Sequence, residues 1–474
     1  MKKFLTYTSL FLMISGVLFA EDSDWQFNGQ IQSRTEADGT DFNNETYMPI
    51  HTSLRTRINV SKEYSGALFF AQLSDSRLFG SSGSTMNSTS NLDIHQAYVK
   101  MSKLFDMPMN LQLGRFEMAY GTQRFIGAVG WHYVGRAFDG ARFTFDFGDM
   151  LKLDVFSTVE RESVSYKGNP KPHPADLLDP KTHEYMLSYP ENKTLHGLWA
   201  KLKLNKDNKV DVFAYMEGNR VVEVLDDTIN FDNDFMRTNL GLSYWGTFDK
   251  LSIIFESAYQ MGTQPLKPDQ DSITGIWTNN EDQNIAAYTV SLQAKYNYGD
   301  GSIGLGMDML SGTDSKDSVN TDNNSYSPSF GTNHKFYGHM DYFISENNTG
   351  GSGLNDLYLM FNHKLSDKFN VGLNAHLFMT NQAVDVTEFD SDGKIVEVEI
   401  IEDGLPTGRF EPSKIKDANM LGQEFDLMFK YKFNDKATIT WGNSFFMAGD
   451  VMVDAWKGNQ DISYWTYLMI TANF

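Results

Sequence analysis

Apolar and polar residues alternate with a period of two along most of this chain. From Gly140 to Phe147, Ala141, Phe143, Phe145 and Phe147 fall on one side and Gly140, Arg142, Thr144 and Asp146 on the other, the side-chain period of a β-strand. A strand that is apolar outside and charged inside belongs to a sheet whose inner face is wet, the inverse of a soluble sandwich. Comparable segments of about 10 to 14 residues lie at Trp25–Glu36, His51–Tyr64, Gly66–Ser76, Leu92–Ser102, Asn110–Met118, Arg136–Phe147, Met150–Arg161, Thr194–Leu204 and Lys209–Asn219. They continue at Phe235–Gly246, Leu251–Met261, Ile285–Tyr298, Gly301–Ser311, Leu354–Leu365, Phe369–Thr380, Met420–Phe433, Lys436–Phe446 and Ser463–Phe474. Each is long enough to cross a bilayer when tilted, and their number, about 18, is even, as in bacterial barrels.

The connections between these segments alternate in length. Gly148-Asp149, Asn205–Asn208, Gly299-Asp300, Ser366–Lys368 and Asn434-Asp435 are tight turns, while Glu162–Lys193, Gly312–Gly353 and Asn381–Asn419 are several times longer. The pattern predicts an all-β, transmembrane, antiparallel up-and-down barrel with short periplasmic turns and long extracellular loops. Its last segment places Tyr464, Thr466, Leu468, Ile470, Ala472 and the terminal Phe474 on one face, and such an end resembles the closing strand whose final aromatic is read by the barrel-assembly machinery.

Composition agrees with that architecture. No Pro-rich linker or shift in composition divides the 474 residues, so one barrel domain is expected over residues 21–474. Beyond the first twenty or so residues no apolar run approaches the length of about 18 that a membrane-spanning helix needs. The chain holds 22 Tyr, 35 Phe and 8 Trp, more than a soluble globule requires and in keeping with interfacial aromatic girdles. Met1–Ala20 reads as an export signal, with Lys2 and Lys3, an apolar stretch from Phe4 to Phe19, and small Ala20 before Glu21-Asp22. The expected location is the bacterial outer membrane. With no cysteine there is neither a lipid attachment site nor a disulfide.

The long connections carry nearly all of the formal net charge of −21. Solvation and protection against association account for such loops; divalent-cation bridging to an anionic lipopolysaccharide surface is the alternative. So acidic a chain has no basic run for nucleic acid. Its ten histidines lack metal spacing, and no Ser, His and acid grouping stands out, so no catalytic role and no cofactor is expected.

Between Ala119 and Val134 the alternation gives way to a Gly-rich aromatic segment, with Arg124, Phe125, Trp131, His132 and Tyr133 inside it and Arg115 and Arg136 beside it. Gly114-Arg115, Tyr120-Gly121, Gln123-Arg124, Gly127, Trp131, Arg136 and Phe138-Asp139-Gly140-Ala141-Arg142 resemble the hallmark segment of the alginate export porin family. Two further segments are similar to that family in the same order. They are Ser311-Gly312-Thr313-Asp314 leading to Phe330, Thr332, His334-Lys335, Tyr337-Gly338 and Asp341, and then Leu421-Gly422-Gln423-Glu424-Phe425-Asp426. The resemblance implies an 18-stranded outer-membrane barrel that passes an anionic polysaccharide through an arginine-rich lumen partly closed by loops.

The residues themselves allow more than one reading. Parity turns Arg34, Arg55, Arg57, Arg142, Lys152, Lys295, Lys430 and Lys432 inward, where guanidinium and ammonium groups replace the hydration of a carboxylate in transit. Alternatively they neutralise inward Asp146, Asp154, Glu256, Glu424 and Asp426 in cross-strand ladders. Arg115, Arg124, Arg136 and Trp131 are lumen candidates too, although Arg115 sits at a break of phase beside Gly114. The Ala119–Val134 loop either folds inward as a constriction, offering aromatic faces to sugar rings, or braces the rim. Asp390-Ser391-Asp392-Gly393-Lys394 resembles the opening of a calcium loop without its helices or its bidentate Glu, so Asp390 and Asp392 are weak metal candidates. A protruding hairpin turned at Asp392-Gly393 between Ala383–Phe389 and Ile395–Ile401 is the competing reading. Three function classes follow: a channel for an anionic oligo- or polysaccharide or another solute, an outer-membrane enzyme, and a surface adhesin. About eighteen strands enclose more space than side chains fill, which favours the channel.

Overall fold

The computed structural model describes residues 25–80, 92–162, 189–225, 228–265, 282–314, 322–344, 349–402 and 405–474. The expected export signal lies outside them. The barrel strands are β1 (Gln26–Gly39), β2 (Ile50–Tyr64), β3 (Ala67–Leu78), β4 (Leu92–Met101), β5 (Met109–Phe116), β6 (Phe138–Asp146), β7 (Leu151–Glu162), β8 (Tyr189–Lys203) and β9 (Asn208–Leu225). They are followed by β10 (Thr228–Phe248), β11 (Leu251–Pro265), β12 (Asp282–Tyr298), β13 (Gly301–Leu310), β14 (Leu354–Lys364), β15 (Phe369–Thr387), β18 (Lys414–Lys432), β19 (Ala437–Ala448) and β20 (Ser463–Asn473). Each pairs antiparallel with the next in one 18-stranded sheet, and β1 pairs with both β2 and β20, so the sheet closes and has no edge.

Closure runs to the last residue. Gly29 and Phe474 exchange backbone hydrogen bonds of 2.9 and 3.0 Å. A Cβ on Gly29 would lie 2.5 Å from the Phe474 ring, so the terminal aromatic has its seat only because position 29 has no side chain. At the short-turn end the chain reverses tightly; Ser65 (φ 47°) and Gly66 (φ 83°) between β2 and β3 take the positive φ values that a two-residue hairpin requires.

All eighteen expected strands are present, with altered limits. β10 and β15 extend to 21 and 19 residues, whereas β5 has only 8 and stops at Phe116. Arg136 precedes β6 rather than lying in it. The Asp390–Lys394 turn exists, closed by the Phe389–Ile395 bridge. However, β16 (Glu397–Glu402) pairs with β17 (Leu405–Pro412), and the end of β15 pairs with β18. The expected single hairpin is therefore replaced by two successive reversals, because β15 keeps its ladder partner beyond the bilayer.

The outer face is apolar, as Phe27, Ile31, Ile58, Leu113, Leu198, Leu240, Leu305 and Leu359 show. The inner face is not uniformly wet, contrary to the alternation reading. Phe156, Trp199, Phe213 and Tyr215 on β7–β9 point inward and are buried, with Trp199 and Phe213 stacked at 4.3 Å. The hydrophobic core lies in the lumen, and chain from the long-loop end fills it.

Candidate channel constriction

Two connections descend into the barrel. Residues 117–137, between β5 and β6, seat Tyr120 on Trp199 at 4.5 Å and Phe125 on Phe213 at 4.6 Å. Met118 and Ile126 are fully buried beside them. Residues 322–344, between β13 and β14, meet the first loop backbone to backbone. The Gly127 amide donates to the Phe330 carbonyl at 2.9 Å and the Thr332 amide to that of Gln123 at 2.8 Å. A Cβ on Gly127 would lie 2.1 Å from Thr332 Oγ1, so this contact requires glycine. The connection between β19 and β20, with its short helix α1 (Asp450–Ala455), closes over the top through Phe42, Trp456 and Tyr342.

The wall arginines hold the first loop in place. Arg34 Nη1 donates to the Trp131 carbonyl at 2.7 Å, and Arg55 Nη1 to the carbonyls of Gly130 and His132 at 2.9 and 3.0 Å. Arg57 reaches the Val134 carbonyl at 2.9 Å and the Glu117 carboxylate at 3.1 Å. Burial and the nearby Arg34 and Arg55 push the pKa of His132 below its ordinary value. The bonds are charge-assisted, and their acceptors are mostly peptide carbonyls rather than the cross-strand carboxylates of a ladder.

Opposite this basic side stands an acidic one. Glu256 on β11, Asp308 on β13, Asp356 on β14, and Glu424 and Asp426 on β18 are all buried and face inward. Arg124, at the tip of the first loop, crosses to them: Nε lies 3.0 Å from Glu256 and Nη2 3.0 Å from Asp308, with the Tyr337 hydroxyl 3.3 Å from Nη1. On the second loop the Met340 amide donates to Glu424 at 2.9 Å. Gly338 adopts φ 81°, and a Cβ there would meet Glu424 Oε2 at 2.5 Å. The Asp356 carboxylate is bound by His376 at 2.9 Å. Residues 117–136, 322–341 and 424–426, drawn from the three segments singled out in the sequence, thus meet inside the lumen.

The family model for alginate export matches residues 26–463. The chain belongs to the alginate export family. It is an outer-membrane channel, with the family and fold of transport porins. The chain is similar in fold to Pseudomonas aeruginosa OccK8 (OprE), with 10% identity, TM-score 0.54, and 95% of this chain and 98% of that one covered. It is likewise similar to Acinetobacter baumannii OccAB4, with 9% identity, TM-score 0.54, and 96% and 99% covered. For P. aeruginosa OccK5 (OpdH) the figures are 11% identity, TM-score 0.52, and 95% and 98% covered. No curated protein matches the chain.

In this family member the candidate residues occupy three kinds of place. Arg34, Arg55, Arg57, Arg124, Arg136 and Trp131 gather at the two inward loops. Arg136 donates to the Phe330 and Ser329 carbonyls. Arg142 faces the lumen from β6 and donates to Gln112. Lys152 and Lys430 line the inner face toward the short-turn end, Lys152 paired with Asp146 at 2.9 Å. Arg115 is the correction. Gly114 keeps the strand in phase at φ 127°, so Arg115 faces outward, 39% exposed, and pairs with Asp139 at 2.6 Å on the outer face.

Trp131 offers no platform for a sugar. The Arg34 guanidinium lies 3.9 Å from its ring centroid and the His334 ring stacks on it at 4.1 Å. Two groups that close to one centroid need its two faces. Asp390 Oδ1 accepts the amides of Asp392 and Lys394 at 2.9 Å each, as a turn cap. Among the described residues no group of three or more His, Asp or Glu is arranged to hold a metal. Sequence reading missed Arg237, buried on β10 and donating to Ser329 at 2.9 Å, although its parity with Asn239 and Ser243 places it inward. Asp308 and Asp356 were legible by the same parity. Their facing positions across β13 and β14 appear only in the register.

Proposed function

We propose that this channel passes anionic, sugar-like solutes, whether single sugar acids or an extended oligo- or polysaccharide chain, through a cationic lower lumen and the loop constriction above it. The observation that carries this reading is the inner face between the short turns and the loops. Lys100, Arg142, Lys152, Lys201, Lys209, Lys295 and Lys430 share the inward register there, against Asp146, Asp154 and Asp211. An excess of cations in a narrow, low-dielectric lumen raises the local concentration of anions and sets selectivity, and contacts at the wall are screened far less than exposed charges, whose reach at physiological salt is a Debye length of about 8 Å. A polymer would have to enter as a single extended strand, because the two loops occupy the centre of the lumen.

The same reading assigns Met1–Ala20 to export and Phe474 to recognition by the barrel-assembly machinery. It sets the acidic loops against lipopolysaccharide, with calcium bridging between the two, and includes no catalytic role. Purified protein in a planar bilayer under a salt gradient tests the channel reading: the reversal potential is expected on the anion side. A cation-selective wild type would reject it.

A further inference from the structure

Below the inward loops, on the short-turn side, lies a cavity of about 110 Å³, room for several waters or one small solute. Its walls come from both loops and from β11, β12, β14 and β15. Neutral hydrogen-bonding groups face it, Thr122, Ser291, Gln293, Tyr358 and Asn374, beside the ionisable Glu256, His339 and His376. Two cations enter it from the loops, and they differ in one respect. Arg124 is neutralised, with Glu256 and Asp308 each at 3.0 Å. Lys335, at the end of a short 3-10 helix, Asn333–Lys335, is paired with no carboxylate among the described residues.

The wall arginines Arg34, Arg55 and Arg57 do not line this cavity and give donors to loop carbonyls instead. We propose that Lys335 is the selectivity-determining cation of the constriction, and that with Thr122, Gln293 and Asn374 it forms a subsite for one hydroxylated carboxylate. The ammonium would take the carboxylate, and the amides and the hydroxyl would take the solute's hydroxyls. A carboxylate arriving there gains a charge-assisted hydrogen bond and displaces nothing from Lys335. Lys335 is exposed, so its ammonium is open to an incoming anion rather than closed off by packing. This inference rests on the anion-channel reading and assigns its selectivity to one side chain on the second loop.

The test is block of chloride current by sodium glucuronate in planar bilayers, with methyl glucoside as the neutral control and the heat-dependent gel shift to confirm folded protein. Wild type should be blocked by glucuronate and only weakly by methyl glucoside. Lys335→Gln should weaken glucuronate block about tenfold, the scale of one charge-assisted hydrogen bond, and Lys335→Arg should retain it. Lys62→Gln, a change on the outer face of β2 where the ammonium packs over Trp25, should leave block unchanged. Equal glucuronate block in wild type and K335Q, absence of block in wild type, or equal loss of methyl glucoside block in K335Q would each overturn the proposal. If the wild type is still anion-selective in those cases, the channel reading stands and only the subsite falls; a cation-selective wild type rejects the channel reading itself.

Discussion

Replacing Arg55 and Arg57 together by Gln separates two roles for the basic side of the lumen. In the structure these side chains make hydrogen bonds to Gly130, His132 and Val134 and an ion pair with Glu117, at 2.9 to 3.1 Å. Charge-assisted bonds of this kind contribute roughly 1.5–3 kcal/mol each when buried. Water reaches part of the lumen and Gln restores some contact, so about 1 kcal/mol per bond is the better figure, or about 4 kcal/mol for the pair of substitutions. That shifts the docking equilibrium of residues 128–136 by roughly a thousandfold toward the undocked loop. Single-channel recording should show a larger or flickering conductance, and hydrogen exchange should show faster exchange of the 128–136 amides in detergent-solubilised protein. If these arginines acted instead as direct solute contacts, the reversal potential would move toward cations while conductance and exchange stayed as in wild type. That outcome would refute the anchoring argument.

Two further expectations follow from the packing. Arg124→Met leaves Glu256 and Asp308 buried without their cation, at a cost of about 3–5 kcal/mol; the temperature at which the folded gel band converts to the unfolded one should fall, and no shift would mean that the loop tip is not latched to the far wall. Removing Phe474, or replacing it by Asp, takes away the ring over Gly29 and, in the deletion, two closing hydrogen bonds. Folded protein in the outer membrane should then drop while export across the inner membrane continues, and a normal folded yield would count against a closing role.

How far the molecule was legible in its sequence depends on the range of the forces involved. A membrane barrel must satisfy every backbone group between neighbouring strands and present one apolar face to lipid, so alternation and turn lengths encode strand number, direction and closure locally. The inward parity of Arg34, Arg55, Arg57 and Arg142 follows from the same rule, as does the outward row ending in Phe474. What those arginines touch does not follow, because their partners are carbonyls of residues 130–134, far away in sequence and without side-chain identity. Arg115 obeys the rule, because β5 stays in phase through Gly114 despite the break its glycine suggests, and its outward pairing with Asp139 is fixed by the register of β5 against β6. Sequence left Trp131 either as an aromatic face for sugars or as part of a bracing loop, and only Arg34 and His334, from a strand and from another loop, decide it by closing both sides of the ring. Lys335 is one lysine among many in the sequence. Only the descent of two long loops into one lumen places it above a cavity whose other cation, Arg124, is already neutralised, because loop docking is decided by packing between distant segments that no local period records.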